Sequence, residues 1–241
     1  MTGEAAVRLN KYSEVRESIY GKHVRSSDML LTGLIYGCTA VSLLILVGIL
    51  GYTFVRGIPH VTWSFLSTAS SAVKGTFGIL GNIINTIYIV VITLLIATPI
   101  GVGSAVYLNE YAKPGKIVRM IEFTTETLSG IPSIIFGLFG MVFFGNTIGL
   151  GYSILTGSLT LTLMILPLIT RTTQEALKTV PDSYRHGALG IGATKWYMIR
   201  TILLPSAMPG IVTGVILAIG RIVGESAALL FTAGSGYYLP K

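Results

Sequence analysis

Two ionisable residues stand where charge is expensive. Arg221 and Glu225 interrupt the run Thr201–Phe231, which is otherwise uncharged. On insertion scales an ionised side chain at mid-bilayer costs about 2.5–3.5 kcal/mol. Spaced four apart, the two fall on one face of a helix and are expected to pair. A guanidinium suits a tetrahedral oxyanion. One reading is anion passage, with Glu225 holding Arg221 between passages, and the residues alone do not choose it over the next. The plain alternative is a structural ion pair at the outer membrane interface. Arg171 closes a second uncharged run. It is expected either to meet an anion at the inner exit or to act as a snorkelling anchor.

Little else could make or break bonds. No Gly-x-x-x-x-Gly-Lys-Ser/Thr loop occurs, so this chain is not expected to hydrolyse ATP. His23, His60 and His186 are scattered, and Cys38 is the single cysteine, so neither a metal site nor a disulfide is expected. No Ser/His/Asp or Cys/His constellation can be assembled with any specificity. The chain is expected to bind no cofactor and not to be an enzyme.

The elements that hold these residues follow from charge and hydropathy. Charged residues are 11% of the 241 and apolar residues 51%, against about 25% charged in soluble domains. That balance excludes disordered, secreted disulfide-rich and ordinary soluble classes. It leaves an all-α polytopic transmembrane bundle. Residues 1–28 form a polar tail, and residues 29–241 form the membrane domain. The runs Met29–Val55 and Gly75–Asn109 carry no charge and predict spans one and two, the second over 80–108. Thr127–Thr170 is uncharged for 44 residues, enough for two short spans turning near residues 145–151. Thr201–Phe231 predicts the fifth. Pro99, Pro132, Pro167, Pro205 and Pro209 lie inside these spans and can kink them.

Of the 17 basic residues, thirteen lie in the tail, in the loop after span two and in the loop after span four. These regions are expected on the cytoplasmic side, with the N-terminus inside. The net charge of +7 is thus topological, split among loops, and no nucleic-acid patch is expected.

The loop 171–200 is polar yet patterned as short helices. Pro181 suits a helix start, Asp182 suits its first turn, and Gly187, Gly190 and Gly192 weaken and end it. Thr194 can cap the next helix. The short helix offers a small apolar face, Tyr184, Ala188, Leu189 and Ile191, that needs a partner.

This loop resembles the cytoplasmic loop of ABC importer permeases, whose pattern is Glu-Ala-Ala, three residues, Gly, nine residues, Ile-x-Leu-Pro. Here His186-Gly187-Ala188, Gly192 and Ile202-Leu203-Leu204-Pro205 keep the spacing, with His186 and Gly187 replacing the family's Glu and first Ala. Leu128–Gly137 resembles the phosphate importer permeases, Gly220–Gly234 resembles the PstA type among them, and the segment 82–112, with Tyr107-Leu108-Asn109-Glu110-Tyr111, resembles importer permeases in general. The resemblance spans roughly residues 75–235.

The resemblance implies a permease subunit that moves inorganic phosphate inward across a bacterial or archaeal plasma membrane. It implies a coupling helix docking an ATPase through Pro181, Asp182, Tyr184, Arg185, His186, Gly187, Ala188, Leu189 and Gly192. It also implies a PstC-like second permease, two PstB-like ATPase subunits carrying ATP and magnesium, a PstS-like phosphate-binding protein, and membrane lipid. Arg221, Glu225 and, more weakly, Arg171 would line the path. The pairs Gly210/Gly214 and Gly220/Gly224 would pack against the second permease. Such permeases have a sixth span; five are expected here, which points to truncation after Lys241 rather than to a five-span version with its C-terminus outside. The competing readings are a PstC-type partner, a permease for another oxyanion such as molybdate or sulfate, and a stand-alone channel or secondary transporter.

Overall fold

The computed structural model describes residues 26–71, 75–113 and 115–234. The basic tail before Ser26, Lys74 and the chain end from Ser235 lie outside the described residues. The chain divides into two units, residues 1–62 and 63–241. The first contains α1 (Ser26–Gly57), followed by a 3-10 turn at Ile58–His60. The helix is apolar along its length, carries exposed Cys38, and ends with Arg56 6.0 Å from the Tyr52 ring centroid.

The second unit opens with α2 (Trp63–Ser67) and a two-stranded antiparallel hairpin, β1 (Ala69–Ser71) with β2 (Thr76–Ile79), where Ala69 faces Ile79. Then come α3 (Leu80–Val106) with a π-helical turn at Tyr107–Tyr111, and α4 (Lys116–Ser129). Next is α5 (Ser133–Gly140), continued by a π-helical stretch to Thr147, and α6 (Ile154–Thr179). Last are α7 (Asp182–Gly190), α8 (Lys195–Met198) with a π-turn to Leu203, α9 (Leu204–Val223) and α10 (Ala227–Thr232).

Four described helices are long and apolar enough to cross a membrane: Asp28–His60, Leu80–Tyr111, Ile154–Lys178 and Lys195–Val223. A fifth crossing exists only if α4 and α5 count together, and these are bent by 100°. The sequence predicts a third span beginning near Thr127 with Pro132 able to kink it; the chain instead breaks there outright. Pro132 has no N–H to donate, and it disfavours helical geometry at Ile131, so α4 stops at Ser129 and α5 starts afresh. The stretch 133–147 is about 22 Å long at 1.5 Å per residue, short of a hydrocarbon core of about 30 Å. Residues Lys116–Glu126, expected in a loop, instead form an amphipathic helix.

The middle helix is α6, with 61% of its apolar span buried against 33% and 28% for those of α3 and α9. Its Leu161, Met164, Ile165 and Ile169 pack with Ile89 and Ala97 of α3, Phe136 of α5, Ala218 and Ile222 of α9, and Ala228 of α10. The helix also buries Thr156, Ser158, Thr160, Thr162, Thr170 and Thr173. Two of these hydroxyls bond within the backbone ladder, Thr160 to Thr156 O and Thr162 to Ser158 O, both at 2.8 Å, whereas Ser158 Oγ and Thr173 Oγ1 have no partner among the described residues. Such short side chains let neighbouring helices come close. A Cβ on Gly101 would lie 2.7 Å from Ile169 Cγ2, and one on Gly210 would lie 2.5 Å from Ala176 Cβ. Gly214 is tighter still, against Thr172. Gly210 and Gly214 are therefore spent on packing α9 against α6 within this chain, not on an outer face as expected.

Candidate functional site

Two polar features lie in the second unit. The first is a cavity of about 400 Å³ between α4, α6 and α9. Glu122, Glu126, Arg171, Glu175, Lys178 and Arg221 line it, with Leu108 and Pro167 among the apolar walls. The amphipathic pattern of α4 turns Glu122, Thr125, Glu126 and Ser129 toward it.

Arg221 and Arg171 thus share one cavity although they sit 50 positions apart. Gly210 and Gly214 meet Ala176 and Thr172, so α9 runs antiparallel to α6. Two further turns put Arg221 near the level of Ile165, about mid-height of α6 by its 1.5 Å rise. Half-buried Arg221 stands in the last turn of α9, yet level with the middle of α6, and it lines the cavity together with Lys178.

The expected Arg221–Glu225 pair does not form. The helix ends at Val223, because Gly224 is a poor helix former and the Glu225 carboxylate is used elsewhere. Glu225 Oε1 accepts from Ala228 N at 3.0 Å and so satisfies a free amide in the first turn of α10. With the helix broken, four-residue spacing no longer sets a shared face. Among the described residues, Arg221 has no ion-pair partner within 4.0 Å.

Arg171 does not close its helix either, since α6 runs on to Thr179. It lies 3.6 Å from Glu126 and 3.3 Å from Glu175. All three side chains are more than half exposed, and such pairs are worth about 0–1 kcal/mol. An arriving anion could displace them at small cost. The cavity presents loosely held cations beside carboxylates, an arrangement able to take up and release an oxyanion.

The second feature is α7. Most of the polar stretch 171–200 is helical, with α6 reaching Thr179 and α8 starting at Lys195, so the connecting segment shrinks to residues 180–194. Pro181 sits one residue before α7, and Asp182 opens it. Thr194 Oγ1 accepts from Tyr197 N at 3.3 Å and caps α8, as the sequence predicts. Gly192 has φ of +85°, a conformation suited to glycine, and it lets Ala193 N reach Ala188 O at 3.0 Å. That is the physical reason for a glycine at this point of the loop pattern.

Tyr184, His186, Gly187 and Leu189 are exposed, and Ile191 is 87% exposed. Ala188 is buried in the chain's own core, and so does not join that outer face. Arg185 also turns inward, toward Glu110, a residue that sequence reasoning passed over. Its signal was available: a lone carboxylate closing an uncharged run of 35 residues.

Residues 97–241 match the family described as binding-protein-dependent transport system inner membrane component. The chain belongs to this family. It is 43% identical over 208 residues to the probable ABC transporter permease protein YqgI of Bacillus subtilis, covering 86% of this chain and 71% of that one. It is 35% identical over 215 residues to the phosphate transport system permease protein PstA of Haemophilus influenzae, covering 89% and 76%. Among solved structures, the inward-facing MetNI methionine ABC transporter matches with a TM-score of 0.54 at 25% identity, over 66% of this chain and 74% of that one. The family match over residues 97–241 contains α4 through α10 and Leu108, and so both polar features.

A Gly192→Val substitution tests the geometry of α7. A β-branched side chain at positive φ costs about 1–2 kcal/mol. Hydrogen exchange at Ile191–Ala193 is expected to rise roughly tenfold, while exchange in the core of α6 stays unchanged.

Proposed function

We propose that this chain is a membrane-spanning permease subunit of an ATP-driven importer that carries inorganic phosphate into the cytoplasm. The observation that carries the reading is the similarity to PstA permeases over most of the chain, together with an exposed short helix at the family's coupling position. The shared fold with a methionine transporter does not choose a substrate, since fold and cargo are separable. Three carboxylates balance three cations in the cavity lining, and an anion would be met there by Arg221, which has no carboxylate partner within 4.0 Å among the described residues, and by the loosely paired Arg171.

The mechanism is indirect. A PstS-like binding protein delivers phosphate to the outer face of a pair formed with a PstC-like permease. Two PstB-like ATPase subunits hold ATP and magnesium and push on α7 through Tyr184, Leu189 and Ile191. Arg221 and Arg171 offer positive potential along the path, and the N-terminus lies in the cytoplasm with the other basic loops. No covalent bond forms on this chain.

The test is phosphate uptake by cells whose own importer permease is replaced by this chain, together with capture of purified candidate ATPase subunits. Replacing residues 184–192 by a Gly/Ser segment is expected to abolish both. ATPase capture that survives the replacement would remove α7 from the docking role. Uptake of molybdate or sulfate in place of phosphate would overturn the substrate.

A further inference from the structure

The hold that the chain keeps on α7 is narrow. Of its nine residues, Ala188 alone joins the apolar cluster made by Val106, Leu177, Met198, Ile199 and Leu203. The other grip is Arg185, whose side chain is 16% exposed against 5% for its partner Glu110.

Each donor group of this guanidinium is used. Nε and Nη2 donate to Glu110 Oε1 at 3.2 and 3.0 Å. Nη1 donates to Val180 O and to Asp182 Oδ1, and Nη2 also to Leu177 O, all at 2.9 Å. Glu110 is engaged from further sides. Asn109 Nδ2 donates to its Oε1 at 2.8 Å, and Lys195 Nζ donates to its carbonyl oxygen while standing 4.9 Å from the Tyr111 ring centroid. The Glu110 carboxylate therefore ties the end of α3 to α7 through Arg185, which also holds the end of α6, while the main-chain carbonyl of Glu110 holds α8 through Lys195. The π-turn at Tyr107–Tyr111 carries Glu110 there.

Two residues before Glu110, Leu108 lines the cavity that holds Arg171 and Arg221. A displacement of α7 that pulls on Arg185 therefore pulls on the segment that forms the cavity wall. We infer that Glu110 is a positioning residue of transport: through Arg185 it delivers movement of α7 to the inner end of α3 and so to the wall of the polar cavity. This rests on the reading of α7 as the coupling helix. Glu110 itself meets neither substrate nor ATPase. An ion pair buried on both sides suits the task, because losing one partner strands the other charge, so the two move together.

Hydrogen exchange on the intact transporter in nanodiscs, with and without ATP and vanadate, reads this directly. In the wild type, nucleotide is expected to change exchange several-fold both at residues 182–190 and at 104–111. In Glu110→Gln the change at 182–190 should persist, and that at 104–111 should shrink below twofold. Phosphate moved per ATP hydrolysed should fall at least fivefold in the same variant. The double reversal Glu110→Arg with Arg185→Glu should recover a good part of both.

An unaltered response at 104–111 in Glu110→Gln would overturn the inference. So would uptake and hydrolysis that fall together at a constant ratio, the mark of a merely structural loss. If nucleotide leaves 182–190 unchanged in the wild type, the coupling-helix reading fails, and this inference falls with it. If the wild type moves no phosphate, the substrate reading fails, and the exchange at 104–111 still decides the role of Glu110.

Discussion

Arg221→Ala is expected to lower phosphate uptake by at least tenfold while leaving the chain assembled in the membrane. The size follows from what the guanidinium can offer. A hydrogen bond to a charged group contributes about 1.5–3 kcal/mol, and each 1.4 kcal/mol is a factor of ten. In the cavity no carboxylate neutralises Arg221 within ion-pair distance among the described residues, so its donors are available to a passing anion. Arg221→Lys keeps the charge and loses the planar fork, so uptake between the two extremes is expected. Wild-type uptake by the lysine variant would reduce Arg221 to a source of positive potential. Full uptake by the alanine variant would remove it from the path. Glu225→Gln separates this account from the paired one. The amide oxygen of glutamine can still accept from Ala228 N, so α10 keeps its cap and most of the uptake is expected to remain. If Glu225 held Arg221 between passages, that variant would fail as badly as Arg221→Ala. Initial rates of labelled phosphate uptake, normalised to the amount of transporter in the membrane, separate these cases.

Much of this was legible in the sequence because it depends on local rules. The helical character, the first two spans and the short helix at Asp182–Gly190 follow from uncharged runs, Pro181, the glycines and Thr194. What failed depends on contacts between distant segments. An uncharged run does not say where a helix ends, and α6 carries Arg171, Glu175 and Lys178 on past Thr170 because their side chains remain accessible. Conversely, α9 stops at Val223 inside an apolar stretch, because Glu225 is used to start α10, which tucks Ala228 against Gly137. Spacing alone paired Arg221 with Glu225; the break undid it and left Arg221 with Arg171 instead. Glu110 and Arg185 lie 75 residues apart, and no periodicity joins them. Glycines show the same limit. Gly137 and Gly140 are both closely packed yet belong to no four-residue glycine pair, whereas Gly33 and Gly37 form such a pair and have open space around them.

That limit gives the second large effect, at the contact between α6 and α9. Gly214→Leu is expected to lower the stability of the purified chain by about 1–3 kcal/mol or more, the usual range for overfilling a packed site. The added Cβ would run into Thr172, and Thr172 has little room to yield. Its hydroxyl donates to Leu168 O at 2.9 Å and lies 3.2 Å from Ile169 O, so rotating it away breaks bonds made in a half-buried setting. Moving the whole of α9 is the remaining response. That shift would also pull Gly210 from Ala176, and it would lift Arg221, two turns further along, out of the cavity. Gly214→Leu should therefore lose uptake beyond what its reduced stability accounts for. Gly220→Ala on the same helix is the control. A Cβ there meets nothing within 4 Å, and replacing helical glycine by alanine stabilises by about 0.4–1 kcal/mol where the backbone allows it. Thermal unfolding in detergent is expected to move the two variants in opposite directions. Equal stability for both would mean that α6 and α9 do not touch at Gly214, and would remove the register that places Arg221 beside Arg171.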